Sequence, residues 1–187
     1  MSNSLVYKGL KVLKANGQWQ SIDFTNTTTE PFYERYSKIV IDKNGTKWIP
    51  SFRANGIIAF NENYNNKTLL IKENDEGNLP SLDVRCLAID NKNQLWIGTY
   101  RGLRILPSID RFTTETELTT NPIIIEEDGV AQELFYQQSI LDIAVDGANN
   151  KWVSVAGAGV FLVSPNGQET LYRFTTTNSP LPSNNVV

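Results

Sequence analysis

The sequence has no histidine and only one cysteine, one methionine and short hydrophobic runs among its 187 residues. Without histidine the chain cannot carry Ser-His-Asp or Cys-His catalysis, nor a zinc or iron site built on histidine ligands. The single Cys86 excludes an internal disulfide, and its apolar surroundings predict a buried, inert thiol. The longest apolar runs span four residues, whereas a membrane-spanning helix needs roughly 20.

Charge is also scarce and evenly mixed, with 17 basic and 20 acidic residues and a formal net charge of −3. The chain has no block of Lys or Arg, so it lacks the electrostatic footprint of a nucleic-acid binder. Residues 1–8 contain no apolar segment of signal-peptide length. The composition therefore favours a non-enzymatic protein, and we expect no catalytic centre, metal site, cofactor or nucleic-acid partner.

What the sequence does have is an internal repeat. An apolar run leads to an aspartate, and a tryptophan follows six residues later, in Asp42–Trp48, Asp90–Trp96 and Asp146–Trp152. Each copy then reaches a glycine that opens a further apolar run. These glycines are Gly56, Gly102 and Gly159, and Gly9 is a fourth that lacks the aspartate half. Their spacings of 47, 46 and 57 residues are typical of repeat architectures built from short units.

Each unit reads as β-strands, because its segments are five or six residues long, β-branched or aromatic, and separated by Asn, Asp and Gly. Four antiparallel strands in about 40–50 residues are the pattern of a β-propeller blade. Fourth strands are predicted at 68–72, 111–115 and 170–175, with an insertion over 118–138. We therefore expect an all-β segment of one propeller over 1–187, with complete four-stranded blades at 37–78, 79–138 and 139–180. Partial blades are expected at 4–36 and 181–187.

The repeated tryptophans are expected to fill the gap between adjacent sheets rather than to serve as sugar-stacking platforms. The carboxylates of Glu126, Glu127 and Asp128 fall in the insertion and are expected to be solvated. They would suit a glycosidase only if they faced one another across a cleft.

Candidate ligand-binding residues lie in the turns between second and third strands, which gather near the axis of a propeller. They are Arg53, Asn55, Tyr100 and Arg101. Arginine offers a planar donor fork and tyrosine a stacking face, so these turns could bind an anionic or sugar ligand. The alternative is that they are ordinary exposed turn residues.

The pattern at 90–103, Asp-x-x-x-x-Leu-Trp-Ile-Gly-Thr-x-x-Gly-Leu, resembles the two-component regulator propeller repeat, and Leu-Pro-Ser-Asn-Asn-Val at 181–186 resembles its usual lead-in. Four stretches are similar to the propeller of PorZ-type proteins of the type IX secretion system, at 124–132, 144–153, 157–167 and 178–186. Two units depart from the repeat, because Pro50-Ser51 and Ser154-Val155 replace its Gly-Thr.

The resemblance implies an exported protein of the cell surface, with two propellers and a sorting domain, in a complex that attaches secreted cargo to lipopolysaccharide. Its partners would be other secretion-system or cell-surface proteins and lipopolysaccharide or another glycan. The first hypothesis is therefore a recognition and assembly module of that machinery. The alternative is a periplasmic, glycan-sensing propeller of a hybrid two-component histidine kinase, and a third, weaker hypothesis is a carbohydrate-active enzyme. Because the segment starts and stops within blades, unpaired strand edges also predict self-association.

Overall fold

The computed structural model describes residues 9–24, 35–52, 55–127 and 129–187, and this part of the chain is all-β. Its strands are β1 (Leu10–Leu13), β2 (Trp19–Ile22), β3 (Arg35–Tyr36), β4 (Val40–Ile41), β5 (Lys47–Phe52), β6 (Ile57–Asn61), β7 (Lys67–Ile71), β8 (Val84–Ile89), β9 (Leu95–Thr99), β10 (Gly102–Leu106), β11 (Ile124–Glu127), β12 (Val130–Glu133), β13 (Ile140–Val145), β14 (Lys151–Val155), β15 (Gly159–Val163) and β16 (Thr170–Phe174). One short α-helix, α1, spans Arg111–Thr114, and two 3₁₀ turns span Glu62–Tyr64 and Asn74–Glu76. Within these ranges, none of the helices has the length and hydrophobicity to cross a bilayer.

The strands form small antiparallel sheets whose order follows the chain. β13, β14, β15 and β16 pair in sequence order. β5, β6 and β7 do the same, and both β3 and β4 pair with β5, so together they occupy the first-strand position. β8, β9 and β10 form a three-stranded sheet, and β1–β2 and β11–β12 are two-stranded. The fourth strands predicted at 68–72 and 170–175 are confirmed as β7 and β16, each within one residue of the predicted ends.

The fourth strand predicted at 111–115 is wrong, because these residues form α1 and its C-cap. The side chain of Arg111 donates to both carboxylate oxygens of Glu115, at 2.8 and 2.7 Å, which is the i,i+4 pairing that a helical turn allows. Phe112 turns inward, is fully buried and packs edge-on against Trp48. Among the described residues, an isolated bridge between Ile105 and Asn121 alone extends this sheet beyond β10. The insertion contains the β11–β12 hairpin.

Two of the repeated tryptophans fill the space between successive sheets, as predicted. Trp48 and Trp96 are both fully buried, Trp48 in a cluster shared with β8–β10 and Trp96 in a cluster shared with β13–β15. The equivalent Trp152 is 36% exposed, because no further sheet among the described residues covers its face, and it stacks on Phe174 of its own sheet. Cys86 is buried as expected, and burial raises the pKa of its thiol.

The aspartate of the repeat fixes both the turn and the tryptophan. Asp42 Oδ1 accepts from the backbone N–H groups of Asn44 and Thr46, each at 2.9 Å. Its Oδ2 accepts from Trp48 Nε1 at 3.0 Å. Asp90 repeats both halves of this arrangement, with Trp96 Nε1 at 3.2 Å from its Oδ2. The six-residue spacing is therefore the distance at which one carboxylate can close the turn and bind the indole of the next strand.

The glycine of the repeat allows a close backbone approach. A Cβ on Gly56 would lie 2.1 Å from the carbonyl oxygen of Ile71 on the fourth strand, and one on Gly159 would lie 2.1 Å from that of Phe174. Gly9 has the same relation to the oxygen of Ile22 at 1.9 Å, so β1 and β2 correspond to the third and fourth strands of the repeat. Gly102 lacks this contact because no fourth strand lies beside it.

Candidate ligand-recognition site

Two of the turns predicted to bind ligand meet around residues 79–83, the lead-in segment that precedes β8. The backbone N–H of Gly56, at the end of the β5–β6 turn, donates to Leu82 O at 3.2 Å. The N–H of Tyr100, in the β9–β10 turn, donates to Asp83 O at 2.9 Å. The lead-in segment is thus held between turns of two successive sheets, as the repeat predicts for residues near a propeller axis. Of the predicted residues, Arg53 lies outside the described part of the chain.

The remaining predicted residues differ in exposure. Tyr100 and Arg101 are exposed, and Arg101 makes no side-chain hydrogen bond or ion pair within the ranges that the structure describes. Asn55 is fully buried, and neither polar atom of its amide has a partner there. An enclosed amide without partners costs stability, so buried polar groups of this kind call for an explanation other than packing.

A β-bulge brings a further arginine into this site. The register between β8 and β9 shifts between Val84 and Cys86, so Arg85 is the extra residue of the strand. A bulge re-aims the side chain that it inserts and is common next to functional sites. The corresponding shift between β13 and β14 falls between Ile140 and Asp142, which gives the next unit Leu141 at the same position. The bulge is thus a feature of the repeat, whereas the arginine is specific to one unit.

Arg85 lies between two aromatic rings. Its guanidinium carbon is 4.9 Å from the ring centroid of Tyr100 and 5.4 Å from that of Phe52, which belongs to the preceding sheet. Cation–π contacts at these distances attract the guanidinium to both rings and restrict its movement. Its side chain keeps 22% of its surface exposed. The guanidinium donates no hydrogen bond to any residue in the described ranges, although its Nε is buried.

The charge beside Arg85 is an aspartate of the lead-in segment. Asp83 Oδ2 lies 3.5 Å from Arg85 Nη2, an ion-pair distance without a hydrogen bond, and Asp83 Oδ1 is buried without a partner. Ser37 of the preceding unit donates its hydroxyl to Arg85 O at 2.8 Å and so holds the bulge in place. The site therefore combines a fixed cation, a carboxylate with an unpaired oxygen and an exposed ring.

Arg85 and Asp83 were not among the residues predicted from sequence. A usable signal was present, because Arg85 is the one charged residue in the otherwise apolar strand Val84–Ile89. A charged residue at that place either disrupts the strand or faces away from its core, and a bulge achieves the second.

A second concavity lies on the side of the molecule, between the β11–β12 hairpin and β15–β16, with a volume of about 550 Å³. Glu126 and Glu127 line it from adjacent positions on β11, and Glu133 from the partner strand. Glu133 Oε2 forms an ion pair with Arg104 Nη1 at 2.9 Å. These three carboxylates thus belong to one hairpin, and Asp128 lies outside the described part of the chain.

The comparisons with known proteins agree with this architecture. Residues 78–101, which include the lead-in segment, Arg85 and the turn at Tyr100, match the family model described as two component regulator propeller. Residues 78–101 thus match one copy of this propeller repeat. The predicted resemblance to that repeat is therefore confirmed.

Solved structures of β-propeller proteins share the fold. PorZ, a surface component of the type IX secretion system of Porphyromonas gingivalis, is 21% identical with a TM-score of 0.77 over 91% of this chain and 24% of its own. The extracellular domain assigned to a hybrid two component system of B. thetaiotaomicron is 18% identical with a TM-score of 0.63 over 95% of this chain and 23% of its own. A gluconolactonase of Xanthomonas campestris is more distant, at 10% identity and a TM-score of 0.55 over 88% of this chain and 54% of its own.

The chain thus spans about a quarter of the length of the first two structures. A search of curated proteins finds no significant match.

Proposed function

We propose that this chain is part of a non-enzymatic recognition propeller in an exported, PorZ-like protein that acts in cell-surface attachment of secreted cargo. The observation that carries recognition is the fixed arginine between Phe52 and Tyr100, whose donors stay unpaired within the described residues. A guanidinium that donates no hydrogen bond within the protein keeps its planar donor fork available for a ligand. The fold shared with PorZ supports the secretion context.

We further propose that the sheets β3–β7, β8–β10 and β13–β16 are blades of one larger propeller, the middle one with three strands, and that β1–β2 and residues 181–187 belong to two partial blades. The support is the equivalence of Gly9, Gly56 and Gly159, each of which meets the carbonyl of a fourth strand. At the other end, Gly159 N–H donates to Asn184 O at 3.1 Å, as Gly56 N–H does to Leu82 O. Residues 181–187 therefore stand where the lead-in of a following blade would stand.

The proposal is tested in the source bacterium by deleting the gene that encodes this chain and measuring where secreted cargo accumulates. We expect cargo to appear in the medium and to be lost from the cell surface, with restoration by the intact gene. Cargo that remains attached to the surface in the deletion strain contradicts the secretion assignment.

A second candidate is the glycan-sensing region of a hybrid two-component system, favoured by the family model matched at 78–101. In that case the same deletion leaves cargo attached and abolishes induction of genes by a glycan. Transcript measurements on the deletion strain therefore separate the two candidates. The full-length gene product gives an independent check, because a sorting domain supports the first and a membrane span with a kinase supports the second.

A further inference from the structure

We propose that Arg85 and Asp83 together bind a ligand that carries a carboxylate beside hydroxyl groups, the chemistry of an acidic sugar. This inference rests on the proposed recognition function of the same site and names the class of ligand. It follows from three properties of the pair: the geometry of the guanidinium, its missing protein partners and the charge next to it.

The geometry of Arg85 favours a planar anion. The guanidinium carbon lies 5.4 Å from the ring centroid of Phe52 and 4.9 Å from that of Tyr100, so rings from two successive sheets restrict its position. A guanidinium held in this way presents its N–H groups at its edge, and two parallel N–H groups match the two oxygens of a carboxylate. Because the side chain is already ordered, binding loses little additional conformational entropy.

Within the described residues, the guanidinium of Arg85 donates no hydrogen bond and forms one ion pair, with Asp83. Its contact with Asp83 is 3.5 Å and makes no hydrogen bond, and the other acceptor atoms of the described chain leave its donors unpaired. Arg173, elsewhere in the chain, offers a comparison, because its guanidinium does donate a hydrogen bond to the protein. Arg173 also stacks on a ring, that of Phe161 at 5.1 Å, but its Nε donates to Ala158 O at 3.0 Å.

Asp83 restricts the class of ligand that the site can bind. Its Oδ1 is buried without a donor among the described residues, and its Oδ2 lies 3.5 Å from Arg85 Nη2, so its negative charge stands beside the place where an anion would meet Arg85. A bare inorganic anion would satisfy the arginine and be repelled by the carboxylate. A ligand with a hydroxyl next to its carboxylate supplies a donor for Asp83 and two acceptors for Arg85, so it satisfies both groups at once.

The experiment is a calorimetric titration of the 187-residue chain with D-glucuronate, D-glucose and inorganic phosphate. We expect D-glucuronate to bind at least ten-fold more tightly than the other two. Arg85→Lys keeps the positive charge but loses the planar fork, and we expect it to weaken D-glucuronate binding at least ten-fold. Arg173→Lys is the matched control, because it makes the same change at a ring-stacked arginine elsewhere, and we expect wild-type affinity.

Asp83→Asn provides a second test that does not depend on the stability of the arginine variant. Removing the carboxylate should strengthen phosphate binding several-fold and weaken D-glucuronate binding, a reversal that a purely structural role for Asp83 would not produce. Equal affinity for D-glucose and D-glucuronate, or unchanged binding by a folded Arg85→Lys chain, overturns the proposal. Failure to bind any acidic sugar while gene deletion still releases cargo overturns this inference and leaves the proposed function standing.

Discussion

At the scale of single residues, the three repeated tryptophans show that the same repeat position can be buried or exposed, depending on what packs against it. Trp48 and Trp96 are fully buried because a following sheet covers them, whereas Trp152 remains 36% exposed. The slot and its spacing from the aspartate were predictable from sequence. The exposure of Trp152 depends on what packs against its sheet, which the repeat alone does not specify.

We expect Trp96→Ala to destabilise the chain by about 3–5 kcal/mol, because it leaves a cavity between two sheets and removes the indole bond to Asp90. Chemical denaturation followed by circular dichroism measures the loss. Trp152→Ala is the control at the equivalent position and should cost less than half as much. A Trp96→Ala chain as stable as the wild type would contradict the packing role.

The buried ion pair between Asp90 and Lys151 links two successive units in a way that sequence did not reveal. Lys151 Nζ lies 2.8 Å from Asp90 Oδ2, with both side chains fully buried, and 4.4 Å from the ring centroid of Trp96. It also donates to two backbone carbonyl oxygens. Burial alone would raise the pKa of Asp90, but the hydrogen bond from Lys151 and two backbone N–H groups hold it below its ordinary value. Burial lowers the pKa of Lys151.

Because the folded pKa of Asp90 is lowered, its contribution to stability is complete above its ordinary value of about 4 and is lost as pH falls through the lower folded value. We therefore expect the unfolding free energy to fall below about pH 4. Asp90→Asn should cost about 3–5 kcal/mol at pH 7, since it leaves the charge of Lys151 buried without its partner, and should show a weaker acid dependence. Asp75→Asn, on an exposed turn, is the control. Identical acid unfolding curves for wild type and Asp90→Asn would exclude this role.

At the scale of elements, strands were predictable where local pattern and repeat agreed. β7 and β16 lie within one residue of their predicted ends, because turn residues precede each of them, Asn65-Asn66 before β7 and Asn166-Gly167 before β16. The helical turn α1 could not be read in the same way. Its conformation depends on Phe112 packing against Trp48, a contact across 64 positions of sequence, and on the local Arg111–Glu115 pair.

The repeat glycines yield a sharp prediction about these elements. Gly56 has φ +68° and a Cβ there would lie 2.1 Å from Ile71 O, so Gly56→Ala must displace β7 or distort the turn. We expect a loss of more than 2 kcal/mol, at the upper end of ordinary point mutations. Gly147→Ala is the matched control, because nothing lies within 4 Å of its added Cβ, and thermal melting compares the two. Equal melting temperatures would show that the close approach is unimportant.

At the scale of the whole molecule, the candidate site illustrates what sequence could and could not supply. The turns at Asn55 and Tyr100 were predictable as neighbours, because the repeat places them on the same end of successive sheets. The stacking of Arg85 was not, because it requires a bulge and rings from two units. The candidate site lies between two repeat units, and a repeat pattern does not specify which side chains of neighbouring units come into contact.

Large aromatic side chains are exposed on β2 and on one face of the β13–β16 sheet. Trp152 and Tyr172 are 36% and 64% exposed on one face of the β13–β16 sheet, and Trp19 is 69% exposed on β2. Apolar sheet faces and open strand edges favour pairing with another chain. We expect the purified 21.0 kDa chain to self-associate, with a weight-average mass that rises with concentration in multi-angle light scattering.

Tyr172→Lys should reduce this association. Tyr136→Lys is the control, since Tyr136 is equally exposed at 62% but lies after the β11–β12 hairpin. A mass of one chain at every concentration would mean that these faces do not recruit a second copy.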